Sequence, residues 1–291
     1  MSERIDIYMK SFIFIGGDSR SIYAAEKLGQ RYSCTSFGIA EGEKLPESLS
    51  DYAVLPLPAS VDGVHINCPL LKSAPPGFDI LEKMVKKGGT VFTSKEFSAL
   101  KETCLKNGFS LVNYFEREEL AVKNAVPTAE GAVEIAIREL PVTLFGAEVL
   151  ITGFGRIGKL LVRYFSALGA KVSAAARKYG DLAWIEAYGA KPVNFNTPGE
   201  LDTAIKKADI IINTVPAMIF DRKRLTLIKT GALFIELASV LSAEDEGLAA
   251  DRGIKLIWAR SLPGKTAPIT AGHIIADTIG NIIAERGVAD A

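Results

Sequence analysis

Three glycines, Gly153, Gly155 and Gly158, form a G-x-G-x-x-G pattern between an apolar, strand-like stretch and a segment with helical periodicity. In this context the first glycine permits a tight turn, the second lets backbone amides approach a diphosphate, and the third lets the helix lie close to the strand. The diphosphate then lies at the helix N-terminus, where backbone N–H groups lack partners. The predicted dinucleotide-binding turn consists of Gly153, Phe154, Gly155, Arg156, Ile157 and Gly158.

The end of the next predicted strand indicates which dinucleotide binds. An NAD site usually has Asp or Glu about 20 residues after the first glycine, where the carboxylate binds the ribose hydroxyls. This chain has Ser173, three alanines, Arg177 and Lys178 instead. Guanidinium pairs bidentately with phosphate oxygens, so two cations after small residues predict a pocket for the 2′-phosphate of NADP. Ser173 is a further candidate phosphate ligand, and a solvated loop is the alternative for the two cations.

Two later predicted strands end in small or polar residues. In an open parallel sheet a dinucleotide lies across the carboxyl ends of the strands. One strand ends at Asn213, Thr214, Val215 and Pro216, which we expect beside the nicotinamide ribose. The next ends with Ala238 and Ser239, which leave room for the nicotinamide ring. The alternative is that these polar groups only satisfy backbone hydrogen bonds.

Apolar runs alternate with helical segments along the whole chain, which indicates parallel sheets covered by helices. In the second half, strands are predicted near 147–152, 170–175, 209–213, 232–237 and 254–258. In the first half, strands are predicted at 12–15, 34–37, 52–57, 90–92 and 110–112, with helices near 78–87 and 95–107. The sequence therefore predicts an α/β protein with two Rossmann-like domains.

Pro127 marks the predicted domain boundary, because proline is favoured in the first turn of a helix. We predict a connecting helix over 127–140 and a last helix that ends at Gly287. By analogy with two-domain dehydrogenases, the last helix returns to the first domain. The predicted domains are 1–126, completed by 271–291, and the NADP-binding domain 127–270.

Charge and cysteine content argue against several classes of protein. The 34 basic and 34 acidic residues leave no net positive field for nucleic acid or an anionic membrane. Three widely spaced cysteines indicate neither a disulfide framework nor a metal site. The apolar run at 12–16 is too short for a signal or membrane segment, so we expect a cytoplasmic protein.

Beyond these patterns, six segments resemble, in order, the dipicolinate synthase A-type proteins of spore-forming bacteria. They are FIFIGGDSR at 12–20, LPLPASVDG at 55–63, YFEREELAVKNAVPTAEGA at 114–132, ITGFGRIGKLLVRYFSALGAKV at 151–172, INTVPAMI at 212–219 and LPGKTAPITAG at 262–272.

This resemblance implies an NADP-dependent oxidoreductase with the two-domain architecture of D-2-hydroxyacid and formate dehydrogenases. It would oxidise a dihydrodipicolinate-type precursor to dipicolinate, which is pyridine-2,6-dicarboxylate, during sporulation. The resemblance also implies a partner, the flavoprotein-like B subunit of dipicolinate synthase, together with a homo-oligomeric state and a place in the cytoplasm of the mother cell.

Two segments depart from the family pattern. Family members follow the strand that here ends in ELAS with an Arg-Pro-Gly-Gly segment, where this chain has Val240 to Asp245. They also carry a lysine where this chain has Ile269. Both differences leave the exact substrate open.

A dicarboxylate substrate requires groups that bind two carboxylates. The candidate ligands are Asp18, Ser19, Arg20, Thr128, Glu130, Arg260, Lys265 and Thr266. Among them we favour Arg20 and Lys265 as the binding charges, since Pro263 and Pro268 stiffen the predicted loop around Lys265. Exposed surface cations without a ligand are the alternative.

Formation of an aromatic ring favours hydride loss, so the reaction needs orientation more than strong acid–base chemistry. Glu130 is the candidate base for the ring proton, with a helix-capping acid as the alternative. We interpret His65 and His273 as structural, and no His–carboxylate pair is evident. Two other functions stay open: a D-2-hydroxyacid-type NAD(P)-dependent dehydrogenase, which needs such a pair, and a non-catalytic NADP-binding component of a complex.

Overall fold

The computed structural model describes residues 9–244 and 246–289, so Asp245 and the ends of the predicted domain ranges 1–126 and 271–291 lie outside the described residues. By its internal contacts the chain divides into two compact units. The first unit comprises the described residues of 1–124 and 267–291, and the second comprises those of 125–266.

The first unit contains a parallel sheet of five strands in the order β2-β1-β3-β4-β5. Because the strand order reverses between β1 and β3, their carboxyl ends form the edge at which open α/β sheets bind ligands. The strands are β1 Ser11–Ile15, β2 Ser33–Phe37, β3 Ser50–Val54, β4 Val85–Thr93 and β5 Ser110–Asn113. The helices of this unit include α1 Ser19–Leu28, α2 Ser98–Asn107 and α10 Pro268–Ala289.

Alternation along β1 builds the two core layers of the first unit. Ile13 and Ile15 face one side of the sheet and pack with residues of α2 such as Leu100. Phe12 and Phe14 face the other side and pack with α1 and with Ile279 of α10. Period-two alternation with apolar residues on both faces is what a strand buried on both sides requires.

The second unit contains a parallel sheet of six strands in the order β11-β10-β9-β6-β7-β8. The strands are β6 Glu148–Thr152, β7 Lys171–Ala176, β8 Lys191–Asn194, β9 Ile210–Asn213, β10 Leu233–Glu236 and β11 Lys255–Trp258. The helices are α3 Glu118–Glu139, which begins in the first unit, α4 Arg156–Ala167, α5 Tyr179–Ala187, α6 Glu200–Lys207, α7 Arg222–Leu225, α8 Glu246–Asp251 and α9 Leu262–Thr266. Together the two parallel sheets confirm the predicted fold class.

Two helix predictions differ from the structure, one at its start and the other in its type and its end. The helix predicted over 127–140 begins at Glu118, and Pro127 lies inside it. Acidic residues in the first turn favour this earlier start, and one proline removes only one hydrogen bond of a long helix. The helix predicted near 78–87 is a 3-10 helix at Phe78–Lys83, after which β4 begins at Val85.

The C-terminal region also differs from the prediction. The presumed loop around Lys265 contains α9, so this lysine lies in a helix. The last helix begins at Pro268 and continues past Gly287 to Ala289. Strand β8 escaped prediction because Val193 is its one buried apolar residue, although a proline at 192 is tolerated on an edge strand.

Within 9–244 and 246–289, no helix combines the length and apolar character needed to cross a membrane.

Gly272 allows α10 to lie directly on α1. A Cβ atom at this position would lie 2.6 Å from the carbonyl oxygen of Arg20 and 2.8 Å from the Cβ of Tyr23. On the same helix, a Cβ at Gly280 would meet no atom within 4 Å. The two glycines therefore provide a matched pair for testing this packing.

We expect Gly272→Ala to lower the midpoint of thermal unfolding, because overpacking costs about 1–3 kcal/mol, or roughly 2 to 10 °C for a unit of this size. Gly280→Ala should raise the midpoint slightly, since alanine is favoured over glycine in a helix by about 1 kcal/mol. Far-UV circular dichroism measures both. Equal midpoints for the two variants would show that α10 does not pack this closely on α1.

Candidate functional site

The three glycines of the G-x-G-x-x-G pattern differ in their surroundings. At two of them a side chain would clash with the protein, and at the third it would enter open space. Gly153 has φ +97°, and a Cβ there would lie 2.3 Å from the hydroxyl oxygen of Thr214. At Gly158 a Cβ would lie 2.2 Å from the carbonyl oxygen of Gly153, so glycine lets α4 approach β6. A Cβ at Gly155 would have no atom within 4 Å. The turn is therefore tightly packed at Gly153 and Gly158 and open at Gly155, where a diphosphate would bind.

The N-terminus of α4 has no side-chain cap. Gly155 is its N-cap residue and makes no side-chain hydrogen bond to the first turn. N–H groups in the first turn of a helix lack intrahelical acceptors, and the helix dipole adds partial positive charge there. The arrangement suits an anionic group held by backbone amides.

The corresponding turn of the first unit has the opposite electrostatic character. The N-cap residue of α1 is Asp18, whose carboxylate accepts a hydrogen bond from the backbone N–H of Arg20 at 3.0 Å. A carboxylate thus occupies the helix N-terminus that a phosphate would need, so only α4 of these two helices is free to bind a diphosphate.

Arg177 and Lys178 directly follow β7, which ends in three buried alanines. Both cations are exposed, and neither has an ion-pair partner in the part of the chain that the structure describes. The carbonyl of Arg177 accepts a hydrogen bond from the side-chain amide of Asn196 at 3.1 Å, which fixes the backbone after the strand. The strand end therefore presents positive charge and no carboxylate.

Ser173 does not lie with these cations. It pairs with Leu150 and Lys191 in the sheet, three residues before the end of β7, which corresponds to about 10 Å along a strand. Ser173 lines a cavity of about 700 Å³ together with Glu148, Lys171 and Lys207. The structure does not bring Ser173 together with the glycine turn.

A buried carboxylate, Glu236, joins the carboxyl ends of neighbouring strands. It is 0% exposed and accepts hydrogen bonds from the side-chain amide of Asn213 at 2.8 Å and from the N–H of Ala238 at 2.9 Å. The N–H of Ser242 at 2.9 Å and the hydroxyl of Ser242 complete the set. These donors shape the turn that follows β10, where Ala238 is buried and Ser239 is exposed.

Asn213 extends the same network to β6 and to the turn after β9. Its side-chain oxygen accepts from the hydroxyl of Thr152 and from the N–H of Val215 at 3.1 Å. The hydroxyl of Thr214 donates to the carbonyl of Thr152 at 2.9 Å. Val215 contacts the glycine turn, and Pro216 is exposed beyond it. The structure therefore brings the predicted 213–216 segment beside the glycine turn.

Arg260 lies over the indole ring of Trp258, with the guanidinium carbon 3.4 Å from the ring centroid. The indole N–H donates to the carbonyl of Ala238 at 3.1 Å, so the ring is attached to the turn after β10. Lys265 and Thr266 follow on α9 and are exposed, and a Cβ at Gly131 of α3 would lie 2.7 Å from the hydroxyl oxygen of Thr266.

In the first unit, Arg20 is paired rather than free. Its side chain is 8% exposed, donates to both oxygens of Asp18 at 2.8 to 3.2 Å, and donates to the carbonyl of Leu57. Burial acts to raise the pKa of Asp18, but the hydrogen bonds and charge of Arg20 outweigh it and hold that pKa below its ordinary value. The pair is neutral overall, so Arg20 does not offer the free charge expected of a carboxylate ligand. Ser19 is the half-buried first residue of α1.

Glu130 lies in an exposed groove of about 660 Å³ between α3 and α4. The groove is lined by Val133, Ile137, Tyr164 and Leu168, at the end of α4 that is remote from the glycine turn. Tyr164 follows the first residue of α4 by eight positions, which corresponds to about 12 Å along a helix. The structure therefore does not bring Glu130 to the glycine turn. Thr128 is half-buried on the same helix.

One pair that the sequence interpretation missed is Asp62 and His65, whose Oδ2 and Nδ1 atoms lie 2.7 Å apart in an exposed turn after β3. Backbone and side-chain hydrogen bonds from His65, followed by the N–H of Val64, hold the pKa of Asp62 below its ordinary range. The signal was the D-x-x-H spacing in a turn. His273 is half-buried on α10.

Residues 124–249 match the NAD-binding domain of D-isomer specific 2-hydroxyacid dehydrogenases. Over 175 residues the chain is 40% identical to the A subunit of dipicolinate synthase from Bacillus subtilis, an alignment that covers 60% of this chain and 58% of that protein. The aligned part thus spans less than two thirds of that relative.

Two crystal structures are similar over nearly the whole chain. The dipicolinate synthase A chain from Bacillus subtilis has a TM-score of 0.82 and 29% identity, and the match covers 96% of this chain and 97% of that one. Its counterpart from Bacillus halodurans has a TM-score of 0.81 and 28% identity, with 94% and 98% covered. The second unit therefore contains a nicotinamide dinucleotide-binding domain, and the chain is similar in sequence and in fold to the A-type component of dipicolinate synthase.

Proposed function

We propose that the chain is an NADP-dependent oxidoreductase that oxidises a dihydrodipicolinate-type precursor to pyridine-2,6-dicarboxylate during sporulation. The similarity to the A-type component of dipicolinate synthase supports the substrate class. By the same similarity, we propose that the partner is a B subunit, that the chain forms a homo-oligomer, and that it is located in the cytoplasm of the mother cell.

The observation that carries the coenzyme assignment is the end of β7. Two exposed cations, Arg177 and Lys178, follow the strand without ion-pair partners in the described chain, and residues 173–178 contain no Asp or Glu that could bind ribose hydroxyls. An NAD site would bind the ribose with an acid at this position, whereas a 2′-phosphate requires cations. The open space above Gly155 and the uncapped N-terminus of α4 fit the diphosphate.

The proposed roles follow from this placement. The turn Gly153, Phe154, Gly155, Arg156, Ile157 and Gly158 holds the diphosphate, while Asn213, Thr214, Val215, Pro216, Ala238 and Ser239 border the nicotinamide half. When bound, the coenzyme accepts a hydride from the substrate ring. The chain's own contribution is to orient the substrate and bind its carboxylates, because aromatisation already favours hydride loss.

Among the candidate substrate ligands, Arg260 and Lys265 have side chains without ion-pair partners in the described residues. Two carboxylates need two such charges, so we propose this pair as the main substrate cations. Asp18, Ser19, Arg20, Thr128, Glu130 and Thr266 stay predictions as substrate contacts.

A second candidate function, a D-2-hydroxyacid-type dehydrogenase, is favoured by one observation. Asp62 orients His65 in the way that such an enzyme uses for acid–base chemistry. A third, a non-catalytic NADP-binding component of a complex, would bind coenzyme without turnover. Purified chain, assayed with and without a B subunit for the ultraviolet absorbance of pyridine dicarboxylate and separately with 2-hydroxyacids, distinguishes the three.

The coenzyme assignment predicts that NADPH binds more tightly than NADH. Arg177→Ala should weaken NADPH binding by roughly one to two powers of ten and leave NADH binding unchanged, since a charge-assisted hydrogen bond contributes about 1.5–3 kcal/mol. Calorimetric titration measures both coenzymes, with Lys191→Ala at the start of β8 as an exposed control. A preference for NADH that Arg177→Ala does not alter would contradict the assignment.

Lys265→Met should raise the Michaelis constant for the substrate by roughly one to two powers of ten, because one charge-assisted hydrogen bond to a carboxylate is lost. Affinity for NADPH should remain unchanged. Steady-state kinetics and coenzyme titration measure the two effects. Loss of NADPH affinity instead would make Lys265 a coenzyme ligand.

The exposed position of Glu130 predicts that Glu130→Gln changes turnover by less than about twofold, as surface substitutions contribute within about 0.5 kcal/mol. Turnover at saturating substrate is the measurement. A loss of turnover of tenfold or more would instead identify Glu130 as the base.

A further inference from the structure

Trp258 forms a flat support for the side chain of Arg260. The 3.4 Å separation between the guanidinium carbon and the ring centroid is that of a stacked cation–π pair. Stacking leaves the planar edge of the guanidinium, with its N–H donors, directed away from the ring. That edge matches the geometry of a carboxylate, which binds two parallel N–H groups.

The supporting ring is itself fixed at two points. Trp258 is the last residue of β11 and lies in register with Glu236 on β10. Its indole N–H donates to the carbonyl of Ala238, whose own N–H donates to the carboxylate of Glu236. The ring is thus held by the same network that shapes the carboxyl edge of the sheet.

The backbone turns sharply after Arg260. Ser261 has φ +58°, and within 9–244 and 246–289 it is the one residue other than glycine with positive φ. Just before this residue, the N–H of Arg260 donates to the carbonyl of Trp258 at 3.1 Å, so the chain already bends at the end of β11. Strained conformations of this kind persist where surrounding structure enforces them and are frequent at binding sites.

Arg260 also lacks a counter-ion. Several other arginines pair with carboxylates, as Arg20 does with Asp18, Arg117 with Glu285 and Arg224 with Asp202. No carboxylate in the described chain lies within ion-pair distance of Arg260, and its guanidinium makes no hydrogen bond there. A positioned guanidinium without an internal partner can bind the carboxylate of a ligand.

We infer that Trp258 and Arg260 form a carboxylate-binding platform, in which Arg260 contacts the ligand and Trp258 is a positioning residue. Two parallel hydrogen bonds form when the carboxylate lies in the plane of the guanidinium. A carboxylate conjugated with an aromatic ring can adopt this position. The identity of the ligand as pyridine-2,6-dicarboxylate rests on the proposed function, whereas the platform itself does not.

The chain contains two tryptophans, so Trp184→Phe leaves Trp258 as the one fluorophore of its kind. In this background, with NADP⁺ present and excitation at the red edge of indole absorption, pyridine-2,6-dicarboxylate should change the Trp258 emission in a saturable way. Adding Arg260→Met should raise the dissociation constant at least tenfold, and Arg260→Lys should restore only part of the affinity, because lysine cannot stack or bind bidentately.

Trp258 is tested by what its replacement does to binding and turnover separately. Trp258→Leu removes the platform and should raise the Michaelis constant at least tenfold, with turnover at saturation and NADP⁺ affinity unchanged. Trp258→Phe keeps an aromatic face but loses the hydrogen bond to the carbonyl of Ala238, and should raise the Michaelis constant by an intermediate amount. A purely structural role would instead lower NADP⁺ affinity and the unfolding midpoint together.

The outcomes separate this inference from the proposed function. One outcome is that calorimetry detects binding of pyridine-2,6-dicarboxylate, but Trp258 emission does not change and Arg260→Met does not weaken the binding. This result overturns the platform and leaves the proposed function intact. A second outcome is that malonate or pyruvate binds with a change in Trp258 emission that Arg260→Met abolishes, while pyridine-2,6-dicarboxylate does not bind. This result supports the platform and contradicts the proposed substrate. Absence of binding by all three carboxylates overturns both.

Discussion

The carboxylate of Glu236 imposes the constraint on which the candidate site depends. It is fully buried, and a buried carboxylate without partners costs many kcal/mol. Hydrogen bonds from Asn213, Ala238 and Ser242 satisfy it, and among the described residues no lysine or arginine contributes. The chain after β10 must therefore fold back so that Ser242 reaches the strand end.

Several parts of the site follow from this one requirement. Asn213 also binds Thr152 and the turn at Val215, so the ends of β6, β9 and β10 are held together next to the glycine turn. The carbonyl of Ala238 then receives the indole of Trp258. A preorganised edge of this kind lets a ligand bind without ordering several loops at once.

The two units show how similar turns acquire different roles. Both sheets have a glycine-containing turn between the first strand and the following helix. In the first unit Asp18 caps the helix and neutralises Arg20, while in the second Gly155 leaves the helix N-terminus uncapped. A difference of one capping side chain decides which turn suits a phosphate.

The sequence was sufficient for the fold class and the strand–turn–helix around Gly155, because periodicity and glycine placement are local signals. It was insufficient for α3, whose interior proline resembled a start, and for β8, whose single buried residue gave no pattern. Glu236 was also missed as a structural centre, since its partners are distant in sequence or irregular in structure: Asn213 ends β9, and Ala238 and Ser242 lie in the loop after β10. For Ser173 the sequence contained a signal that the prediction did not use. This residue lies three positions before the end of β7, so it could have been placed away from the carboxyl edge of the sheet.

We propose that the network around Glu236 builds the coenzyme-binding edge of the second unit. Calorimetric titration of NADPH into Glu236→Gln, compared with Glu246→Gln on the exposed first turn of α8, tests it directly. In the first variant an amide N–H₂ would face donors, and a buried unsatisfied donor costs about 1–3 kcal/mol. We expect at least tenfold weaker NADPH binding for Glu236→Gln and no change for Glu246→Gln. Equal affinities in the two folded variants would show that coenzyme binding does not depend on this network.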